Sequence, residues 1–134
     1  MLRVLIVEDE PVNREFLLLA LKGRARCVAV ESGEAAIEAF TLALDDSEPF
    51  DLVFLDLLLP GMGGLQTLEK LRFLEEHFEL PESRRAKVIV ATALDDDRAA
   101  SRAFIQGRAV SYMTKPFRVA DIRGELDKLG LLDG

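Results

Sequence analysis

One cysteine, one histidine, and no long hydrophobic run set the outer limits on what this 134-residue chain can be. Cys27 alone cannot close an internal disulfide, so the chain suits a reducing compartment, and a cytoplasmic location is expected. Cys27 itself reads as a small buried apolar residue. His77 alone makes no metal site and is expected on the solvated end of a helix. The longest apolar stretch, Phe16 to Leu21, is far below the roughly 20 residues that cross a bilayer, so no membrane insertion is expected. Met1-Leu2-Arg3 leads so directly into a strand-like run that no signal peptide is expected. Positive charge is scarce too, with 17 Lys and Arg against 24 Asp and Glu, a net charge of −7. That field repels nucleic-acid phosphates, and no basic stripe opposes it, so direct nucleic-acid binding is not expected. The one local basic cluster, Arg84-Arg85 with Lys87, has no interleaved aromatics and reads as a solvated loop.

What is present is a globular composition, 49% hydrophobic and 31% charged, in a length that fits one domain. Strand-like and helix-like segments alternate in five βα units, which predicts an α/β fold with a parallel sheet covered on both faces. Strands are predicted near 3–7, 26–30, 51–55, 87–91 and 110–114, several of them continuous aliphatic runs, as burial on both faces requires. Helices are predicted near 11–23, 33–44, 64–78, 96–106 and 118–129. Pro11 suits a first helical turn, Ser32 an N-cap, and Gly23 a C-terminal stop. Ile37, Phe40 and Leu44 share one apolar helix face, as do Leu65, Leu68, Leu71 and Phe78. Two connections, Asp45 to Phe50 and Glu79 to Arg85, are long. The run Leu17-Leu18-Leu19 with Leu21 is more than one helix face can bury. A well-covered core helix is the default, and apolar exposure there would mark a partner surface instead.

Four of the strand-like runs end in residues that a metal-assisted phosphate site needs. Val4 to Val7 runs into Glu8-Asp9, Leu52 to Leu55 into Asp56, Val88 to Ala91 into Thr92, and Val110 to Thr114 into Lys115-Pro116. As neighbouring parallel strands they would share one carboxyl edge, where open α/β sheets place their ligands. Carboxylates packed together resist ionisation unless something positive sits among them. Mg²⁺ fits, since it takes hard oxygen ligands and binds one or two carboxylates together with a phosphate. A carboxylate is also a nucleophile toward phosphorus, and Asp56, at the mouth of the loop 57–64, is the best placed. The charge on a transferred phosphoryl group would then be met by Mg²⁺, the Lys115 ammonium and the Thr92 hydroxyl.

These residues, in this order, resemble a response-regulator receiver domain of the stand-alone, chemotaxis-regulator-like type. The resemblance rests on the acidic pair after the first strand, the stretch from Asp56 through Pro60, Met62 and Gly64, the Ala91-Thr92-Ala93 turn, and Tyr112 ahead of Lys115-Pro116-Phe117. It implies a doubly wound, flavodoxin-like five-stranded sheet of order 2-1-3-4-5. It further implies that Asp56 accepts a phosphoryl group from a sensor histidine kinase, a phosphotransfer protein or a small acyl phosphate. Asp9 and Asp56 would bind Mg²⁺ directly together with the Leu58 backbone carbonyl, and Glu8 mainly through water. Thr92 and Tyr112 would form the switch, and the Lys115-Pro116 bond would be cis. A single domain over 1–134 with no output domain is expected. It would act on a separate protein effector, or as a homodimer through the fourth helix, fifth strand and fifth helix.

The chain departs from the family pattern in several places. Glu8 stands where aspartate is commoner, one residue too many lies between Gly107 and Tyr112, and both long connections exceed the usual lengths. Leu58 and Leu94 flank the expected phosphoryl position, which predicts slow self-dephosphorylation. Three other functions compete. A Mg²⁺-dependent phosphohydrolase of the haloacid-dehalogenase type would want a second aspartate where Leu58 stands, so turnover of external substrates is not expected. A nucleotide or flavin binder would want glycines or hydroxyls where Glu8-Asp9-Glu10-Pro11 stands. A receiver that only docks partners would not need Asp56, Thr92 and Lys115 intact.

Overall fold

A computed structural model describes residues 1–92 and 97–131, with the side chains of Thr92, Asp97, Ala99 and Ala100 left undescribed. Five strands, β1 (Leu2–Val7), β2 (Ala25–Val30), β3 (Leu52–Asp56), β4 (Lys87–Thr92) and β5 (Ser111–Thr114), form one parallel sheet of order β2-β1-β3-β4-β5. The helices between and after them are α1 (Pro11–Leu21), α2 (Gly33–Asp45), α3 (Gly64–His77), α4 (Asp97–Ile105) and α5 (Val119–Lys128). Every predicted element is present, with ends that differ by at most two residues.

The sheet is covered on both faces because its aliphatic strands alternate. Leu5, Val7, Val53, Leu55, Val88 and Val90 face α2, α3 and α4, where they meet Phe40, Leu44, Leu68, Leu71 and Ala103. Val4, Ile6, Leu52, Phe54, Ile89 and Met113 face the other way, onto Leu17, Leu21, Ile122 and Leu126 of α1 and α5. The period of two along a strand makes this sorting automatic. Cys27, on the edge strand β2, is only half-buried, because an edge strand leaves its outer flank to solvent.

Local chemistry sets the helix ends. Pro11 occupies the first turn of α1, where its missing N–H costs nothing. The Ser32 hydroxyl accepts from the Ala35 N–H at 3.1 Å and caps α2. Gly23, after α1, has φ +80°, a conformation that glycine adopts freely. His77 is exposed at the end of α3, its ring stacked on Phe73.

The two departures before β4 and β5 meet at one buried ion pair on α3. Arg72 and Glu75 are both buried and 2.8 Å apart. The Arg72 guanidinium also donates to the carbonyls of Ala86, Gly107 and Arg108, at 2.8, 2.8 and 3.0 Å. The second Glu75 oxygen accepts from the Ala86 N–H at 2.7 Å. The long connection thus folds onto α3 through a 3-10 turn at Glu82–Arg84, with Arg85 Nε donating to the Leu80 carbonyl. In the segment before β5, Arg108 has φ +54°.

Candidate functional site

Strand register brings the predicted residues together. Val7 lies beside Leu55, Asp56 beside Ala91, and Thr92 beside Thr114, so β1, β3, β4 and β5 end along one edge. Glu8 and Asp56 are only 2% and 5% exposed. Lys115 Nζ bridges them, donating to Glu8 Oε1 at 2.7 Å and to Asp56 Oδ2 at 2.9 Å. The other Asp56 oxygen accepts the Leu58 N–H at 2.9 Å. Carboxylate oxygens of Glu8, Asp9 and Asp56 converge to within 4.8 Å of one another. The Lys115-Pro116 bond is cis, as the resemblance implies.

Backbone contacts hold these strand ends in place. The Glu8 N–H donates to the Val30 carbonyl, and the Glu8 carbonyl accepts from Arg14, whose guanidinium also pairs with Glu31. Leu57 and Leu59 anchor the loop after Asp56 in the core, while Leu58 between them is exposed. Gly64 opens α3 directly against the backbone of Asp56 and Leu57, an approach that leaves no room for a Cβ. The sequence reading missed Arg14 and the reason for Gly64, because both act through backbone neighbours that no local motif reveals.

The charges are unequally shared. Burial pushes Glu8 up to about 7, and the adjacent Asp56 carboxylate adds to the push, against the pull of Lys115. Burial acts in the same sense on Asp56, but Glu8, the Leu58 N–H and Lys115 outweigh it and hold that carboxyl below its ordinary value. Burial lowers Lys115, yet its bonds to Glu8 and Asp56 prevail and its pKa is raised. The cluster thus favours the charged forms of Asp56 and Lys115 and disfavours that of Glu8. Glu8 Oε2 is buried and has no hydrogen-bond partner.

Glu8 bonds Lys115 directly, so its side chain is committed to the cluster. Thr92 ends β4 at the shared edge, while its side chain and all of Leu94 lie outside the described residues. Tyr112 is 46% exposed on β5, its ring set edge-on against Phe104 at 5.9 Å.

Comparison with known proteins agrees with this arrangement. The family model of the response regulator receiver domain matches residues 4–127. A probable C4-dicarboxylate response regulator, DctR, of Bacillus subtilis is 31% identical over 94% of this chain and 51% of its own length. A positive alginate biosynthesis regulatory protein of Pseudomonas aeruginosa is 35% identical over 95% of this chain and 46% of its own. The chain thus spans about half the length of these two curated relatives. Among solved structures, the receiver domain of a putative Luxo repressor protein from Vibrio parahaemolyticus is 28% identical, with a TM-score of 0.72 over 96% of this chain and 88% of that one. A mutant receiver domain of the histidine kinase CKI1 from Arabidopsis thaliana, 24% identical, shares the fold with a TM-score of 0.78 over 94% of this chain and 89% of that one. With a family model that spans nearly its whole length, this chain belongs to the response regulator receiver domain family.

Proposed function

We propose that this receiver domain is a phosphorylation switch in which Asp56 accepts a phosphoryl group from the phosphohistidine of a sensor kinase or phosphotransfer protein. The observation that carries this reading is Lys115 Nζ held between Glu8 and Asp56 at the sheet edge. An Asp56 oxygen forms the new O–P bond as the donor's P–N bond breaks, and its electron pair stays with the imidazole nitrogen. The Lys115 ammonium and the Leu58 N–H already stand at the Asp56 oxygens, so both are in place where negative charge develops.

The donor set fits a hard divalent cation: three carboxylates converge, and one buried oxygen, Glu8 Oε2, lacks a partner. Asp9, Asp56, Glu8 and the Leu58 carbonyl would hold it. Mg²⁺ bound there supplies positive charge against the phosphoryl oxygens. The receiver domain of a Pseudomonas aeruginosa sensor histidine kinase, 23% identical with a TM-score of 0.74, has a magnesium ion coordinated in its active-site cleft.

The donor docks beside the pocket. Val12 and Leu19 are 78% and 65% exposed, and with Pro11, Phe16 and the adjoining Glu15 they make a largely apolar patch on α1 just after Asp9. Phe16 packs on Phe117, two residues beyond Lys115, so the patch is continuous with the site. Of the Leu17-Leu18-Leu19 run, Leu17 is buried and Leu18 packs against the core, as a well-covered core helix requires, and Leu19 alone joins this exposed patch. Output leaves by another face: Phe104, Ile105, Val110 and Tyr112 are exposed near the end of α4 and on β5, and offer a surface to an effector or a second copy. Thr92 and Tyr112 would couple the phosphoryl group to that face. Asp56 modifies itself and turns over no external substrate. Among the described residues no helix is long and apolar enough to cross a membrane, and we assign the protein to the cytoplasm.

Incubation with Mg²⁺ and acetyl phosphate, read by intact mass, tests the proposal. One phosphoryl adduct is expected on the native chain and none on Asp56→Asn. No adduct on the native chain, with Mg²⁺ binding demonstrated, would instead identify a docking-only receiver.

A further inference from the structure

Buried ion pairs contribute little net stability compared with apolar residues of the same volume, so their retention calls for another reason. Here the reason is visible in how the pair's bonds are distributed. Arginine has five donors in a rigid fork. Four hydrogen bonds from Arg72 reach three separate segments: Glu75 in its own helix, Ala86 before β4, and Gly107 and Arg108 between α4 and β5. Glu75 returns to Ala86 through its second oxygen. One guanidinium therefore ties the turn between α4 and β5 to α3 and to the segment before β4.

Backbone bonds from the Gln106, Ala109 and Val110 N–H groups and the burial of Ala109 also hold this turn, but Arg72 supplies the side-chain donors to the Gly107 and Arg108 carbonyls. Arg108 adopts φ +54°, a sparsely populated conformation that persists only when its surroundings impose it. Gly107 sits so close to Leu68 of α3 that a Cβ would collide with that side chain. On one side of the turn are the exposed Phe104 and Ile105, on the other the exposed Val110 and Tyr112. Phe104 and Tyr112 meet across it.

We propose that Arg72, oriented by Glu75, is a positioning residue for the output face: its bonds to the Gly107 and Arg108 carbonyls hold the α4–β5 turn so that Phe104, Ile105, Val110 and Tyr112 form one preordered surface. The interaction role of that surface rests on the reading above; the ordering does not. A preordered surface loses less conformational entropy when a partner binds. Arg72 and Glu75 touch no partner on this reading, yet they set the affinity of the face that does.

The test uses Arg72→Met with Glu75→Gln, a neutral pair that removes the bonds to Gly107 and Arg108. The side-chain amide introduced at position 75 keeps an acceptor for the Ala86 N–H. Amide hydrogen exchange is read without any phosphoryl donor, so the result is independent of Asp56 chemistry. The amides of Gln106, Ala109 and Val110 donate to the carbonyls of Arg102, Ala103 and Val88, and they report directly on opening of the turn. Losing two hydrogen bonds there should speed their exchange roughly tenfold or more, while the amides of β1 and β3 stay as in the native chain. Tyr112 is the single tyrosine and there is no tryptophan, so fluorescence anisotropy reports that one ring, and it should fall in the variant. Unchanged exchange and anisotropy would overturn the proposal. So would exchange that rises uniformly through β1 and β3, which would mark a purely global role. If the double variant does not fold, Arg72→Lys, which keeps the charge and loses the fork, is read by the same criteria.

Discussion

Substitution of Gly64 by alanine should damage the fold and the site together. A Cβ at this position would be driven into the Asp56 carbonyl oxygen and would lie 2.5 Å from Leu57 Cα and 3.0 Å from Leu57 C. All three are backbone atoms, so no side-chain rotation relieves the clash. Either the first turn of α3 or the end of β3 must shift. Overpacking of this kind costs about 1–3 kcal/mol. With only backbone to yield, the clash falls in the upper part of that range, and after the better helix propensity of alanine returns up to about 1 kcal/mol the net loss is about 1–2 kcal/mol. For a domain of this size that lowers Tm by roughly 4–8 °C. Gly124→Ala supplies the control: it lies inside α5, a Cβ there meets nothing within 4 Å, and its effect should be a gain of about 0.5–1 kcal/mol. Movement of Asp56 and Leu57 also lengthens the bond from the Leu58 N–H to Asp56 Oδ1, so phosphorylation by acetyl phosphate should slow. Thermal melts with a mass-spectrometric phosphorylation time course read both effects. A Gly64→Ala protein that melts and phosphorylates like the native chain would refute the close-packing argument.

Lys115→Met removes the cation shared by Glu8 and Asp56, and the rate of Asp56 phosphorylation should fall by roughly 100-fold, as for loss of one preorganised charge-stabilising donor; a rate within a few-fold of native would remove Lys115 from the chemistry. The folded-state pKa of Glu8 is raised from 4.5 to about 7, so its contribution to stability is complete below pH 4.5 and is lost as pH rises through 7. Asp56, held below 3.8, and Lys115, held above 10.5, titrate outside that window. Without divalent metal, Tm should therefore drop between about pH 5 and 8, and Glu8→Gln should flatten that slope; parallel profiles for the two proteins would count against the assignment. Leu58 is 60% exposed beside Asp56 and offers water no hydrogen-bonding side chain, so Leu58→Asn should shorten the phosphoryl lifetime several-fold. An unchanged decay would show that Leu58 does not limit access by water.

The site was more legible than the framework that supports it. Glu8, Asp9, Asp56, Thr92 and Lys115 each follow an apolar run, and a parallel sheet turns the ends of such runs into neighbours without further information. The double-faced core was legible for the same reason, because continuous aliphatic strands have one stable use. Arg72 and Glu75 were hidden by their own polarity: a helix read for its apolar stripe through Leu65, Leu68 and Leu71 assigns charged residues to solvent. Their spacing held the signal. Arg72 lies four residues after Leu68 and Glu75 four after Leu71, so both continue the buried stripe. What no helical period contains is the partner set, since Ala86, Gly107 and Arg108 come from connections whose paths only the folded chain defines.

The pocket and the two exposed faces are linked through β5 and the residues just after it. Lys115 holds Glu8 and Asp56 together, and its chain neighbours point elsewhere: Phe117 packs on Phe16 beneath the apolar patch of α1, and Tyr112 packs on Phe104 at the output face. In the unmodified protein the single ammonium is divided between two carboxylates. A phosphoryl group turns the Asp56 carboxylate, with one negative charge, into an acyl phosphate with roughly two, and carries that charge outward onto the phosphoryl oxygens. The added charge draws the ammonium toward Asp56 and weakens its hold on Glu8, so the end of β5 is where the local change in charge is first felt. The clamp at Arg72 holds the turn at Gly107 and Arg108, just before the other end of the same strand. On the proposed phosphorylation switch, a disturbance at the end of this four-residue strand would reach Tyr112, which lies within it.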